Sequence, residues 1–243
     1  MKVSNTGYVR KIETLGTLDG PGIRTVIFLS GCPLRCLYCH NPDMWKIEER
    51  DQVDLDAIMH QLIRMKPYYG SEGGVTFCGG EPLMQPNFLL ALAKRCKEEG
   101  IHTCLDTSGY GVEGTFEEIL EYIDLILLDI KGLNPSMQKE LSGKEFSQVA
   151  FIQKAQEKKV PLWIRMVVIP RYNDQKEDMD SLVEMIDKLH YVEKVELLPY
   201  HTLGIKKYES MNIEFPLKEI KAMDVRKTNT LQEYINKKRK DSI

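Results

Sequence analysis

Six short apolar runs, each leading into a segment of helical character, constrain the fold of this 243-residue chain more than any other feature. The runs are Thr25–Leu29, Gly73–Phe77, Ile101–Leu105, Leu125–Leu128, Leu162–Ile169 and Val195–Leu198. Unbroken apolar strands suit a parallel sheet covered on both faces. Strand–helix alternation implies right-handed crossovers between parallel neighbours. The expected fold is α/β: a (β/α)6 partial barrel of parallel strands with outer helices, closed or nearly so. The whole chain, 1–243, reads as one core domain with short extensions at both ends, long enough to bury a core without disulfides.

Helix signals support this reading. Asp54 suits a cap before the stripe Leu55, Ile58, Met59, Leu62 and Ile63. Asn87 suits a cap before Phe88, Leu89, Leu92, Ala93 and Cys96, and Gly100 a stop after them. Thr115 and Glu118 form a capping-box pattern. Ser147–Lys159 and the segment through Leu182, Val183, Met185, Ile186 and Leu189 are expected to be helical.

Polar clusters lie just past the C-terminal ends of the runs, where barrel enzymes build their sites. The first is Gly31 to Pro42, with Cys32, Cys36 and Cys39 in C-x3-C-x2-C spacing. Three thiols on one short loop can converge on one metal centre. Structural zinc is closed by four ligands, and adjacent Cys39 and His40 have difficulty reaching one tetrahedral ion. Cubane iron–sulfur clusters take thiolates, usually four, so three leave one iron open to a small molecule. An odd set of three cannot pair as disulfides, and Cys78, Cys96 and Cys104 read as small buried core residues.

Further clusters follow. Gly79 and Gly80 allow close approach of a backbone to a ligand, and Glu81 can accept charge-assisted hydrogen bonds from an ammonium. Asp106, Thr107 and Ser108 read either as a capped turn or as a group for hydroxyls or a cation. Asp129 and Lys131, either side of Ile130, face one way on a strand. Arg165 interrupts an apolar strand and calls for a carboxylate partner. His201 follows Pro199-Tyr200 at a strand end.

The cysteine spacing resembles that of the radical S-adenosylmethionine (SAM) enzymes. The string Asp19-Gly20-Pro21-Gly22-Ile23-Arg24, with Gly31-Cys32 and Leu37-Tyr38-Cys39-His40-Asn41, resembles more narrowly the pyruvate formate-lyase activating enzymes. The resemblance covers nearly the whole chain. It implies one 4Fe-4S cluster held by Cys32, Cys36 and Cys39, with SAM on the fourth iron. Reductive cleavage of SAM would give a 5'-deoxyadenosyl radical that takes a Cα hydrogen from one glycine of pyruvate formate-lyase. SAM contacts are implied at Tyr38, His40, Gly79, Gly80, Glu81, Asp106, Thr107, Ser108, Asp129, Ile130, Lys131, Arg165 and His201. A monovalent cation is implied between Asp106 and Asp129, with Thr107 and the Leu127 carbonyl. Asp19 and Gly20 are placed to contact the partner protein, and reduced flavodoxin or ferredoxin is the implied electron donor. The family has Asn where this chain has Ser108, which breaks the pattern for an amide contact there.

Competing readings are a radical SAM enzyme acting on a small molecule, an activase of another glycyl-radical enzyme, and a non-catalytic zinc or iron–sulfur module. Residues 41–77 contain no cysteine, which counts against the ferredoxin-like insert of many other activases. A formal charge of -3 argues against nucleic acid. The Lys237–Lys240 run reads as the solvated end of a last helix. No signal peptide and no apolar run of membrane-spanning length are evident, so a reduced cytoplasmic setting without a membrane partner is expected.

Overall fold

The computed structural model describes residues 4–241. The strands are β1 (Thr6–Gly16), β2 (Arg24–Leu29), β3 (Gln52–Asp54), β4 (Gly74–Gly79), β5 (His102–Thr107), β6 (Leu125–Asp129), β7 (Leu162–Val168) and β8 (Val192–Pro199). The helices are α1 (Leu55–Met65), α2 (Pro86–Glu98), α3 (Pro135–Ser142), α4 (Val149–Glu157), α5 (Lys176–Ile186), α6 (Ile205–Ser210) and α7 (Val225–Asp241). All six expected strands are present, and a helix follows each of them except β5, which is joined to β6 without an α-helix. The chain divides into two compact units. One runs to Pro33 and takes in Met44–Leu128 and Ser147–Leu162; the other comprises Leu34–Asp43, Asp129–Phe146 and the chain from Trp163 onward.

In the first unit β2, β4, β5 and β6 are parallel neighbours in that order. Their register aligns Ile27, Phe77, Leu105 and Ile126 in one row across the sheet. All four side chains are fully buried. That is why these runs are apolar without alternation. β1 pairs antiparallel with β2 and with β3, and neither β1 nor β3 is expected from the apolar runs. The β1 sequence mixes Lys11, Glu13 and Thr14 with its apolar residues, so its periodicity is weak.

Helix ends refine the expectations. Asp54 caps α1, accepting from the Asp56 N–H at 2.8 Å. Leu55, Ile58, Met59 and Leu62 are buried, whereas Ile63 is exposed. α2 begins at Pro86, one residue before the expected Asn87 cap, because the fixed φ of proline suits the first helical position. The preceding Gln85 binds the backbone of Tyr8 and Ser30 instead of capping. The expected helix at Thr115 is only a short 3-10 turn at Ile119–Tyr122. The Thr115 hydroxyl donates to the Val112 carbonyl at 2.6 Å rather than capping.

In the second unit, α3 was not expected. Asn134 caps it and Gly143, at φ 72°, ends it. The Ile130 N–H donates to the Arg165 carbonyl at 2.8 Å, and the Tyr200 N–H to the Val168 carbonyl at 3.0 Å. These bonds fix the segments just past β6 and β8, which carry Lys131 and His201, against β7, which carries Arg165. Gln232 on α7 bonds the β8 backbone at Val195 and Leu197, which satisfies strand groups there. The 237–240 run lies within α7, as expected. Among the described residues, no helix is long and apolar enough to cross a membrane.

Arg24 is a fully buried cation at the start of β2. It donates to Thr76 Oγ1 at 2.6 Å, the Pro21 carbonyl at 2.9 Å and the Val75 carbonyl at 2.6 Å. Burial pushes its pKa down, against the pull of nearby acidic groups including Cys104 and Asp19. Removing it strands several buried acceptors. Arg24→Met is expected to cost about 3 kcal/mol, or roughly 6–12 °C in unfolding midpoint. A thermal melt with a midpoint within about 1 °C of the unsubstituted protein contradicts this account of Arg24.

Candidate active site

The cysteine loop is built from backbone contacts. Gly31, at φ 96°, lets the chain leave β2 sharply. The Gly31 N–H donates to the Met44 carbonyl at 2.8 Å and the Cys32 N–H to the Trp45 carbonyl at 3.1 Å. In the second unit, the Arg35 and Leu37 N–H groups donate to the carbonyls of Ser142 and Leu141 at the end of α3. The Cys39 N–H donates to the Cys36 carbonyl at 3.0 Å, closing a turn between two of the three thiols. All three cysteines are half-buried, and none forms a disulfide. Burial pushes the Cys36 thiol up to about 11, against the pull of Lys131. A metal is what converts such a thiol to a thiolate ligand. Cys36 and Cys39, held by this turn, are therefore suited in chemistry to ligate an iron–sulfur cluster.

Around Cys36 and Cys39 the second unit gathers Tyr38, His40, Asp129, Lys131 and His201. Lys131 Nζ bonds Asp129 Oδ2 at 2.7 Å and lies 5.5 Å from the centre of the Tyr38 ring. Burial works to lower the Lys131 pKa, but Asp129 and its neighbours outweigh it, so Lys131 stays charged. The pair is mostly withdrawn from water rather than a solvated surface pair. Ile130 between them is buried. The His40 and His201 rings stack at 3.9 Å with 13° between their planes. The His40 Nε2–H donates to the His201 carbonyl at 3.1 Å, and burial holds both imidazoles below the ordinary histidine value. Arg165 has its carboxylate partner inside the protein: Nε to Glu196 Oε2 at 3.1 Å.

In the first unit β4 ends at Gly79, with φ 120°. The Gly80 N–H donates to the Leu29 carbonyl at 2.8 Å and the Glu81 N–H to the Gly31 carbonyl at 2.9 Å. A Cβ on Gly80 would lie 2.4 Å from the Gly31 carbonyl oxygen, so only glycine permits this approach. The Glu81 side chain is buried and turned toward Thr107 and Ser108 at the end of β5. Burial pushes its carboxyl up, while the Ser108 and Thr107 donors pull it back.

Asp19, Cys78 and Asp106 offer ligand atoms within 4.8 Å of one another. This grouping was missed. Cys78 reads from sequence as a core residue, yet it is only half-buried, whereas Cys96 and Cys104 are buried as expected. The missing signal is that position 78 lies at the strand end, where alternation no longer dictates burial. Gly20 packs beside Arg24 and Cys104 at φ 121°.

Comparison with known proteins agrees with this geometry. The family described as the Radical SAM superfamily matches residues 26–185. A pyruvate formate-lyase-activating enzyme of Clostridium pasteurianum is 48% identical over 231 residues, 94% of this chain and 97% of that protein. The chain belongs to the radical SAM superfamily. A pyruvate formate-lyase-activating enzyme of Staphylococcus aureus strain USA300 is 44% identical over 243 residues, 96% of this chain and 97% of that protein. Among solved structures, Streptococcus suis SuiB bound to its precursor peptide SuiA has a TM-score of 0.65 at 21% identity. The match covers 87% of this chain and 44% of that one, and it supports the fold alone. As a radical SAM protein, the chain has a 4Fe-4S cluster and SAM as its cofactors.

The Gly80–Gly31 approach ties the Gly-Gly-Glu turn to the residue preceding Cys32. Gly80→Ala is expected to destabilise the protein by about 1–3 kcal/mol and to lower the iron retained after anaerobic reconstitution. Unchanged iron content and an unchanged melt contradict that coupling.

Proposed function

We propose that this chain installs a glycyl radical on pyruvate formate-lyase. The observation that carries the reading is identity of 44–48% to pyruvate formate-lyase-activating enzymes over nearly full length on both sides. The superfamily match runs through residues of both units, which supports treating the chain as one radical SAM core. When bound, the reduced cluster and SAM supply an alkyl radical able to take one hydrogen atom from a carbon.

The chain's own residues hold, orient and shield. Cys32, Cys36 and Cys39 are the cluster ligands in this reading, and Tyr38 and His40, either side of Cys39 in the chain, are proposed SAM contacts. SAM contacts are proposed on the Gly79–Glu81 and Asp106–Ser108 turns of the first unit, and at Asp129, Ile130, Lys131 and His201 of the second. Arg165, whose Nε is engaged with Glu196, is proposed as a further SAM contact. A monovalent cation is a further proposed cofactor, on the family resemblance alone. The closeness of Asp19 to Asp106 and Cys78 supports Asp19 and Gly20 as contacts for the partner's glycine segment. Glycine suits the reaction because it has no Cβ to obstruct entry. Its radical is delocalised over the flanking amides. No side chain need act as a general acid or base. Reduced flavodoxin or ferredoxin is the proposed donor, in the cytoplasm, with no role for nucleic acid or membrane.

The test is anaerobic. The reconstituted, reduced protein is mixed with SAM and pyruvate formate-lyase, and electron paramagnetic resonance is recorded. A glycyl-radical doublet on the lyase with formation of 5'-deoxyadenosine is expected. SAM cleavage without that doublet transfers the assignment to another substrate.

A further inference from the structure

Glu81 is 1% exposed, and its carboxylate is fully engaged by neighbouring protein groups. Oε2 accepts from the Ser108 N–H at 2.9 Å and from the Ser108 hydroxyl at 2.5 Å. Oε1 accepts from the Thr107 hydroxyl and from the Leu83 N–H at 3.2 Å. A carboxylate offers about four acceptor sites, so these donors fill its ordinary capacity. Two of the partners are backbone N–H donors, and the Thr107 and Ser108 hydroxyls complete the set.

The network continues past Glu81. The Thr107 hydroxyl oxygen accepts from the Gly109 N–H at 2.9 Å. The Ser108 carbonyl accepts from the Gln148 side chain at 2.7 Å. Meanwhile the Glu81 N–H is held by the Gly31 carbonyl. One residue thus links the ends of β2, β4 and β5. An incoming ammonium would have to displace a donor already in place, at the cost of a buried unpaired hydroxyl or amide.

We propose that Glu81 is a positioning residue: its carboxylate fixes the Thr107–Ser108 turn and reaches bound SAM only through that turn. This rests on the assignment of the turn to the SAM site. It departs from the expectation that Glu81 binds the ligand ammonium itself.

Two measurements decide it. In the cofactor-free protein, Glu81→Gln, Ser108→Ala and the double variant are melted. Each single change is expected to lower the midpoint by about 3–8 °C, and the double by little more than the larger single. Additive shifts overturn the contact. In the reconstituted holoprotein, calorimetry compares SAM with its analogue lacking the α-amino group. If Glu81 acts through the turn, Glu81→Gln weakens both ligands by a similar factor, about tenfold. Ser108→Ala is expected to weaken both in the same way. Loss confined to SAM, with the analogue unaffected, overturns the proposal in favour of direct ammonium binding. Unchanged affinity for both ligands overturns it as well. If Glu81→Gln does not fold, Thr107→Val and Ser108→Ala approach the same network from the other side and carry the same comparison. Unsubstituted holoprotein that binds neither ligand contradicts the SAM assignment, and the cofactor-free melts still decide the contact.

Discussion

The approach of Gly80 to the Gly31 carbonyl is the contact on which the first unit's strand-end region depends. Two backbones can come this close only where neither carries a Cβ in the way. The approach lets the Gly80 and Glu81 N–H groups bond the end of β2 and the residue before Cys32. Glu81 is then carried to the end of β5, where Thr107 and Ser108 meet it. The fully apolar row beneath, through Ile27, Phe77, Leu105 and Ile126, fixes the register from which these turns emerge.

The second unit solves a related problem with charge. Lys131 is withdrawn from water and would be costly without a counter-charge. Asp129, the last residue of β6, supplies that charge two residues before it, and the Tyr38 face adds a cation–π contact. Arg165 is handled likewise by Glu196. The His40–His201 stack ties the last residue of the cysteine motif's neighbourhood to the end of β8. Lys131 and Arg165, the cations that stand out in this unit, thus each have a specific carboxylate partner.

Much of this was legible in the sequence because the strands are buried on both faces and so appear as plain apolar runs. The turns were legible because Gly79, Gly80 and the cysteines have few other uses at strand ends. What escaped has physical causes. β1 is half-exposed and carries lysine and glutamate, so it lacks an apolar signature. α3 is short and polar outside, yet its Leu141 and Ser142 carbonyls anchor the cysteine loop. Thr115 and Glu118 match a capping pattern, but the threonine hydroxyl bonds backward instead. The engagement of Glu81 by Thr107 and Ser108 spans 26 and 27 residues, a separation no local pattern encodes.

The central claim is that a hydrogen atom moves from a glycine Cα of the partner to the nucleoside product. Pyruvate formate-lyase carrying glycine deuterated at Cα provides the most direct test. After anaerobic reaction with the reduced protein and SAM, 5'-deoxyadenosine is isolated and examined by mass spectrometry. The account predicts one deuterium in the 5'-methyl group for each glycyl radical formed. Unlabelled 5'-deoxyadenosine alongside a fully formed glycyl radical contradicts it.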